Sequence, residues 1–382
     1  MMRRISLALL AAPLILSAVQ CTSSDVAVAP VASKGSTLPG QPWGDYFMLP
    51  LEFGGDSKRT LHFLFDTGAN ITVLDPDALR SVSGWEGEVG SNVRLTDVDC
   101  GVVHFSKLPA KVVELDHLSR ALGWPIDGIL GFPAFADLLV TLDYETMRMH
   151  VASGALPPPD GQSVFELKKT SNRRPWVDLE VGRRRRTVLL DSGSGGLLSL
   201  KRTTTDEWAV PPREVGTAMG IQGLEYRRVG RMAGPMRLFG LEFDRPAVQA
   251  VSRGSDLIGT RYLKHFVLTF DQRHGRVRVR PANVELERSK VVEGTGVLTE
   301  PRPDGLLVRA LTPGSPAVAA GIQVGDLIQT VSGTRFDRWP AGGFERLRDG
   351  DRTFHRYQLI RGGRESVVEV DWVDLLELPA QK

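Results

Sequence analysis

Cysteine is nearly absent, with only Cys21 and Cys100 in 382 residues, and that excludes a disulfide framework in any redox compartment. The seven histidines are scattered, and none falls at the His-x-x-x-His or Cys/His spacing of a metal site, so no metal is expected. Beyond the amino terminus no segment reaches about 18 uninterrupted apolar residues, so no later span of a membrane is expected. Neither sign of charge dominates. The chain carries 47 basic and 45 acidic residues, intermixed, for a net charge of +2, and this leaves no basic field to draw nucleic acid. A Gly-x-Ser-x-Gly turn is also missing, which removes the commonest setting of a serine nucleophile.

What remains is a globular composition, 42% hydrophobic and 24% charged, with length for two or three domains. The first 21 residues, MMRRISLALLAAPLILSAVQC, place two arginines before an apolar stretch too short to span a bilayer well. That is the shape of a cleaved signal peptide, and it predicts export to the periplasm or cell envelope. Cys21, followed by Thr22, Ser23 and Ser24, resembles a bacterial lipoprotein cleavage site, from which Gln20 departs. A lipid anchor at Cys21 and simple cleavage near residues 18–20 are both left open. Cys100 reads as a free thiol in a strand-rich region, since Asp99 and Gly101 offer it no base.

After a leader over residues 22–42, two stretches match at an offset of about 125 residues. YFMLPLEFGGDSKRTLHFLFDTGA begins at Tyr46, and PWVDLEVGRRRRTVLLDSGS begins at Pro175. Each is an alternating apolar run, a Gly/basic turn, a second apolar run and then Asp-Thr/Ser-Gly, the pattern of a hairpin feeding a turn. Downstream, DGILGFPAF answers to DLIGTRYL and VTLDYE answers to LTFD, in the same order. Two β-rich units are therefore expected, over 43–156 and 162–285, joined by a Pro-rich linker. Short helices are expected near 76–82, 132–139 and 260–266. Asp127 and Asp256, ahead of the apolar-Gly elements, read as structural hydrogen-bonders. The four arginines at 183–186 read as a solvated hairpin turn.

Asp66-Thr67-Gly68 and Asp191-Ser192-Gly193, each following an apolar strand and each answered about 60 residues later by Ile129-Leu130-Gly131 or Leu257-Ile258-Gly259, resemble the two lobes of an aspartic peptidase. Ala69 and the short lobes are similar to the retropepsin branch rather than to the large pepsin lobes. The resemblance implies an all-β fold of two acid-protease-like lobes whose Asp turns meet, with polypeptide as substrate and no cofactor. It implies Asp66 and Asp191 as the catalytic pair. Thr67, Gly68, Ser192, Gly193 and Ser194 would support them. Such chemistry needs two carboxyls close enough to share a proton, so that the charged one activates water and the protonated one polarises a peptide carbonyl. Ala69 faces Ser194 at the third position after each aspartate, and a hydroxyl beside Asp191 alone predicts Asp191 as the more acidic member. Residues 216–230 suit a mobile hairpin cover, with 84–92 as its counterpart; Tyr226 and Trp85 are the aromatic candidates there.

From residue 290 to 376 the chain resembles the PDZ domain of bacterial envelope proteases, through Pro313-Gly314-Ser315-Pro316-Ala317, Ala320-Gly321-Ile322, Gly325-Asp326 and Val331-Ser332-Gly333. The resemblance implies a small α+β domain that takes peptide C-termini or extended segments as an added strand. Gly294, Thr295, Gly296 and Val297 would form the loop holding the terminal carboxylate. Ser315, Ala317 and Gly325 are expected to serve the helix start and a turn. Two functions stand at this point, an exported aspartic endopeptidase and a catalytically inactive peptide-binding envelope adaptor.

Overall fold

A computed structural model describes residues 27–28, 35–54, 58–170, 173–221, 223–283, 292–335 and 354–379. The leader outside 27–28 and 35–42, and residues 336–353 of the C-terminal region, lie outside these. The fold is mostly β, 52% strand against 10% helix, with sheets that curl toward barrels. No helix among the described residues is long and apolar enough to cross a membrane.

The principal elements are numbered in chain order. In the first half, β1 (Tyr46–Phe53) and β2 (Arg59–Asp66) pair as a hairpin, Met48 opposite Leu64 and Phe53 opposite Arg59. Their inward positions, among them Leu49, Leu51, Phe63 and Phe65, are buried, as period-2 alternation requires. Next come β3 (Thr72–Leu74), α1 (Pro76–Ser83), α2 (Asp116–Leu122), β4 (Gly128–Gly131) and β5 (Leu139–Asp143). Helix α1 opens at an Asp75 cap accepting from Asp77 N–H with proline at its start, and closes on Gly84 at φ 65°. Strand β4 runs parallel to β2 and antiparallel to β3.

The second half holds β6 (Trp176–Val181), β7 (Arg184–Leu190), β8 (Leu198–Leu200), the long hairpin β9 (Trp208–Gly220) and β10 (Gly223–Met232), then β11 (Leu257–Ile258), α3 (Thr260–Leu263) and β12 (Phe266–Asp271). The pairing repeats that of the first half: β6 with β7, and β11 parallel to β7 but antiparallel to β8. Asp127 and Asp256 do what their position suggested, accepting from His62 N–H at 2.6 Å and from Lys201 N–H at 2.8 Å. Arg183, Arg184 and Arg185 of the arginine turn are exposed, as a solvated turn requires. Arg185 reaches Asp178 at 2.6 Å, Arg184 reaches Glu207 at 3.3 Å, and Arg186 lies between Glu207 and Asp256.

One six-stranded sheet joins the halves through β5 and β12, which pair antiparallel about Thr141 and Thr269. Those two hydroxyls meet at 2.8 Å. A single apolar core, from Phe47 to Val279, runs through both halves, so they are held by shared burial as well as by strand pairing.

The C-terminal segment has its own small core of Leu306, Val308, Ala317, Ile322, Ile328, Val331, Tyr357, Leu359 and Val370. Around it lie β13 (Val297–Arg302), β14 (Gly305–Leu311), α4 (Pro316–Ala319), β15 (Leu327–Val331), β16 (Phe354–Arg361) and β17 (Arg364–Asp371). Strand β13 is an edge. Ser315 stands at the start of α4, Ala317 is buried, and Gly325 turns at φ 95°. Asp326, 1% exposed, takes a two-pronged bond from Arg361 at 2.6 and 2.7 Å, which holds its carboxyl below the usual range.

Candidate functional site

The two Asp turns come together where β2 and β7 end. Thr67 and Ser192, both 0% exposed, exchange hydrogen bonds across the join. Thr67 N–H donates to Ser192 Oγ at 3.0 Å and Ser192 N–H to Thr67 Oγ1 at 2.9 Å. Each hydroxyl then donates onward into the opposite half, Thr67 to Leu190 O at 2.7 Å and Ser192 to Phe65 O at 3.0 Å. Each buried hydroxyl thereby both accepts and donates, and strand ends 125 residues apart are fixed to one another.

Beyond that bridge each turn closes in the same way. Ala69 N–H donates to Asp66 O and Ser194 N–H to Asp191 O, both at 3.3 Å. Each turn is buttressed from behind, by Phe132 N–H on Ala69 O at 3.0 Å and by Thr260 N–H on Ser194 O at 2.8 Å. The glycines are needed for close approach rather than for an unusual φ. A Cβ on Gly68 would lie 2.5 Å from Asp191 Cγ, and one on Gly193 would strike the Asp66 carboxyl. Each carboxyl therefore packs on the backbone of the opposite turn.

Both aspartates remain partly reachable by solvent, yet protein surrounds them closely enough for burial to be the largest influence, raising both pKa values. The two environments differ. Asp66 accepts Gly68 N–H at 2.6 Å and is further favoured in its charged form by Ala69 and Gly193 N–H. Asp191 accepts Gly193 N–H at 3.1 Å and faces the charge of Asp66, so it is pushed well above the carboxylate range. Burial raises both, and the two carboxyls share protons as one unit. Ser194 Oγ accepts from Gly196 N–H at 3.4 Å, a local turn two residues on.

A group with its pKa raised on folding binds more protons in the folded chain, so stability falls as pH rises above the ordinary carboxylate value toward the folded one. Asp191→Asn, which never ionises, is expected to be more stable than wild type at neutral pH, the advantage vanishing near pH ~3. Denaturant melts at the two pH values check this.

Three side chains near the pair escaped the sequence reading. Arg174 donates from Nη1 to Gly68 O at 3.0 Å, stacks over Trp176, and places its charge near both carboxyls, favouring the ionised form of Asp191. Arg174→Met should move both limbs of a pH–rate profile to higher pH, because removing the cation raises both carboxyl pKa values. Tyr46 from the first half lies with its hydroxyl on Gly195 of the second, its pKa pushed up to about 12 by burial. The buried Tyr144 hydroxyl has no hydrogen-bond partner among the described residues, and it feels the charges of Asp45, Asp191 and Asp66. Of these, only Arg174 carried a sequence signal, the second of two adjacent arginines just before the strand pair that leads to Asp191.

Residues 216–230 fall in the hairpin β9–β10. Near its tip Met219 packs against a first-half cluster that includes Met48, Leu64, Val73 and Ile129, and His117 Nε2–H donates to Gly220 O at 3.1 Å. The expected counterpart at 84–92 is not a hairpin. Gly84 is spent on the α1 cap, and strand begins only at Asn92. Trp85 packs against the main core and Tyr226 is 45% exposed, so neither meets the pair.

Cys100 is buried and unpaired in a strand, its thiol pushed up to about 12 by burial. Among the described residues no three His, Cys, Asp or Glu side chains are grouped to hold a metal ion. In the C-terminal segment Gly294 pairs with Val373, Thr295 Oγ1 meets Tyr357 Oη at 2.9 Å, Gly296 O accepts Thr312 N–H at 2.7 Å, and Val297 opens β13.

Compared with protein-family models the chain finds no match, and compared with curated proteins it finds none either.

Proposed function

We propose that the chain is an aspartic endopeptidase of two acid-protease-like lobes, cutting peptide bonds with water activated between Asp66 and Asp191. The observation that carries this reading is the pair itself. Two carboxyls from matched turns each pack on the backbone of the opposite turn, and burial raises both pKa values, so that one can stay charged while the other holds a proton. That division suits hydrolysis. Asp66 takes a proton from a water lying between the carboxyls as its oxygen attacks the peptide carbonyl, while Asp191 gives its proton to the carbonyl oxygen. The tetrahedral intermediate then collapses: the C–N bond breaks, the proton held by Asp66 passes to the leaving nitrogen, and one hydroxyl of the intermediate returns its proton to Asp191 as the new carboxyl forms. The Thr67–Ser192 exchange supports the geometry this requires. Hairpin β9–β10 serves as the cover that excludes water from an extended peptide beneath it.

The C-terminal segment is proposed as a PDZ-type domain that recruits or gates polypeptide through its edge strand and the loop Gly294 to Val297. The amino-terminal segment is proposed to export the chain, which puts the activity in the periplasm or cell envelope.

The test is digestion of an unfolded protein by the purified chain, with and without a peptide analogue carrying a secondary hydroxyl in place of the scissile carbonyl. Internal cleavage suppressed by the analogue is expected. Peptide binding with no cleavage at any pH would support the adaptor reading instead.

A further inference from the structure

The cover hairpin is tied to the C-terminal segment at its side and near its base. Thr217 Oγ1 donates to Thr299 O at 2.6 Å, Thr312 Oγ1 donates to Glu214 O at 2.8 Å, and Arg213 Nη1 donates to Leu378 O at 2.8 Å. Strand β9 lies along β13, the edge of the C-terminal sheet. An edge strand offers unpaired N–H and C=O groups to any extended chain that reaches it. Here the carbonyl of Thr299 is met by a side-chain hydroxyl, one bond where a paired strand would make several.

The lever is short. Thr217, which meets β13, stands two residues from Met219, which packs against the same first-half cluster that Tyr46 and Ala69 cover. At about 3.3 Å per residue, a strand moved at Thr217 cannot leave Met219 in place. Closure over the aspartates and contact with the C-terminal edge are thus parts of one rigid hairpin.

We propose that the C-terminal segment latches hairpin β9–β10 over the aspartate pair, and that an extended polypeptide strand adding to the outer edge of β13 is the ligand that releases it. The consequence for turnover rests on the peptidase reading; the latch does not.

The test is hydrogen exchange on the full chain. Thr217→Val with Thr312→Val removes both hydroxyl bonds at nearly constant volume and touches neither aspartate. Amides of 214–220 and 223–228 should exchange about tenfold faster than in wild type, while those of β1, β2, β6 and β7 stay protected, which shows that the variant is folded. The Thr217→Ser single variant keeps a hydroxyl and should keep wild-type protection. In a second arm, full-length Asp66→Asn is mixed with random-sequence dodecapeptides bearing free C-termini. Hairpin exchange should rise as in the valine variant. Unchanged exchange in the valine variant overturns the latch, and unchanged or slowed exchange with the peptides overturns the strand as its release. If wild type cleaves protein while exchange ignores both treatments, the latch fails and the peptidase stands. If exchange responds but nothing is cut, the latch stands and the peptidase fails.

Discussion

Asp66→Asn and Asp191→Asn are each expected to lower kcat/KM for an unfolded protein by on the order of 10⁴-fold, and the double variant to fall little further. Groups that act as one unit lose nearly everything when either is removed, so the effects do not add. The two losses arise differently. An amide at position 66 cannot take a proton from water, whereas an amide at 191 leaves Asp66 charged but offers a far weaker acid to the carbonyl oxygen. Neither change should unfold the chain, because Asn keeps the volume and can still accept the turn N–H bonds from Gly68 or Gly193. Steady-state kinetics beside thermal melts separate lost chemistry from lost fold.

Gly193→Ala comes next in size. Its φ is ordinary for any residue, so no backbone strain is involved; the trouble is that the new methyl would occupy the space of the Asp66 carboxyl. That carboxyl would have to move, and with it its bond to Gly68 N–H. Overpacking of this kind costs about 1–3 kcal/mol of stability, and displacing a reacting group by about 1 Å costs roughly 10²-fold in rate. The expected result is a folded chain with kcat/KM down about 10²-fold. Gly182→Ala, at a turn with φ 57° but no atom within 4 Å of a new Cβ, should lose stability without that loss of rate.

The halves and their meeting point were legible because one order of residue types occurs twice, and because Asp-Thr/Ser-Gly after an apolar strand restricts what the backbone can do next. Asp127, Asp256 and the capped helix after Asp75 were legible for the same local reason. What escaped depends on neighbours distant in sequence. Tyr46 sits in an alternating strand and shows no sign that its hydroxyl will reach Gly195. The supposed cover at 84–92 failed because glycine punctuates helix ends as readily as hairpins.

The most direct measurement is digestion of a reduced, unfolded protein in water enriched in ¹⁸O, with product masses and the intact mass of the chain followed during turnover. The account predicts that every new carboxyl terminus carries solvent ¹⁸O, that the chain never gains the mass of a bound fragment, and that Asp66→Asn yields no products. A covalent fragment on the chain, or undiminished cleavage by both Asp66→Asn and Asp191→Asn, would contradict it.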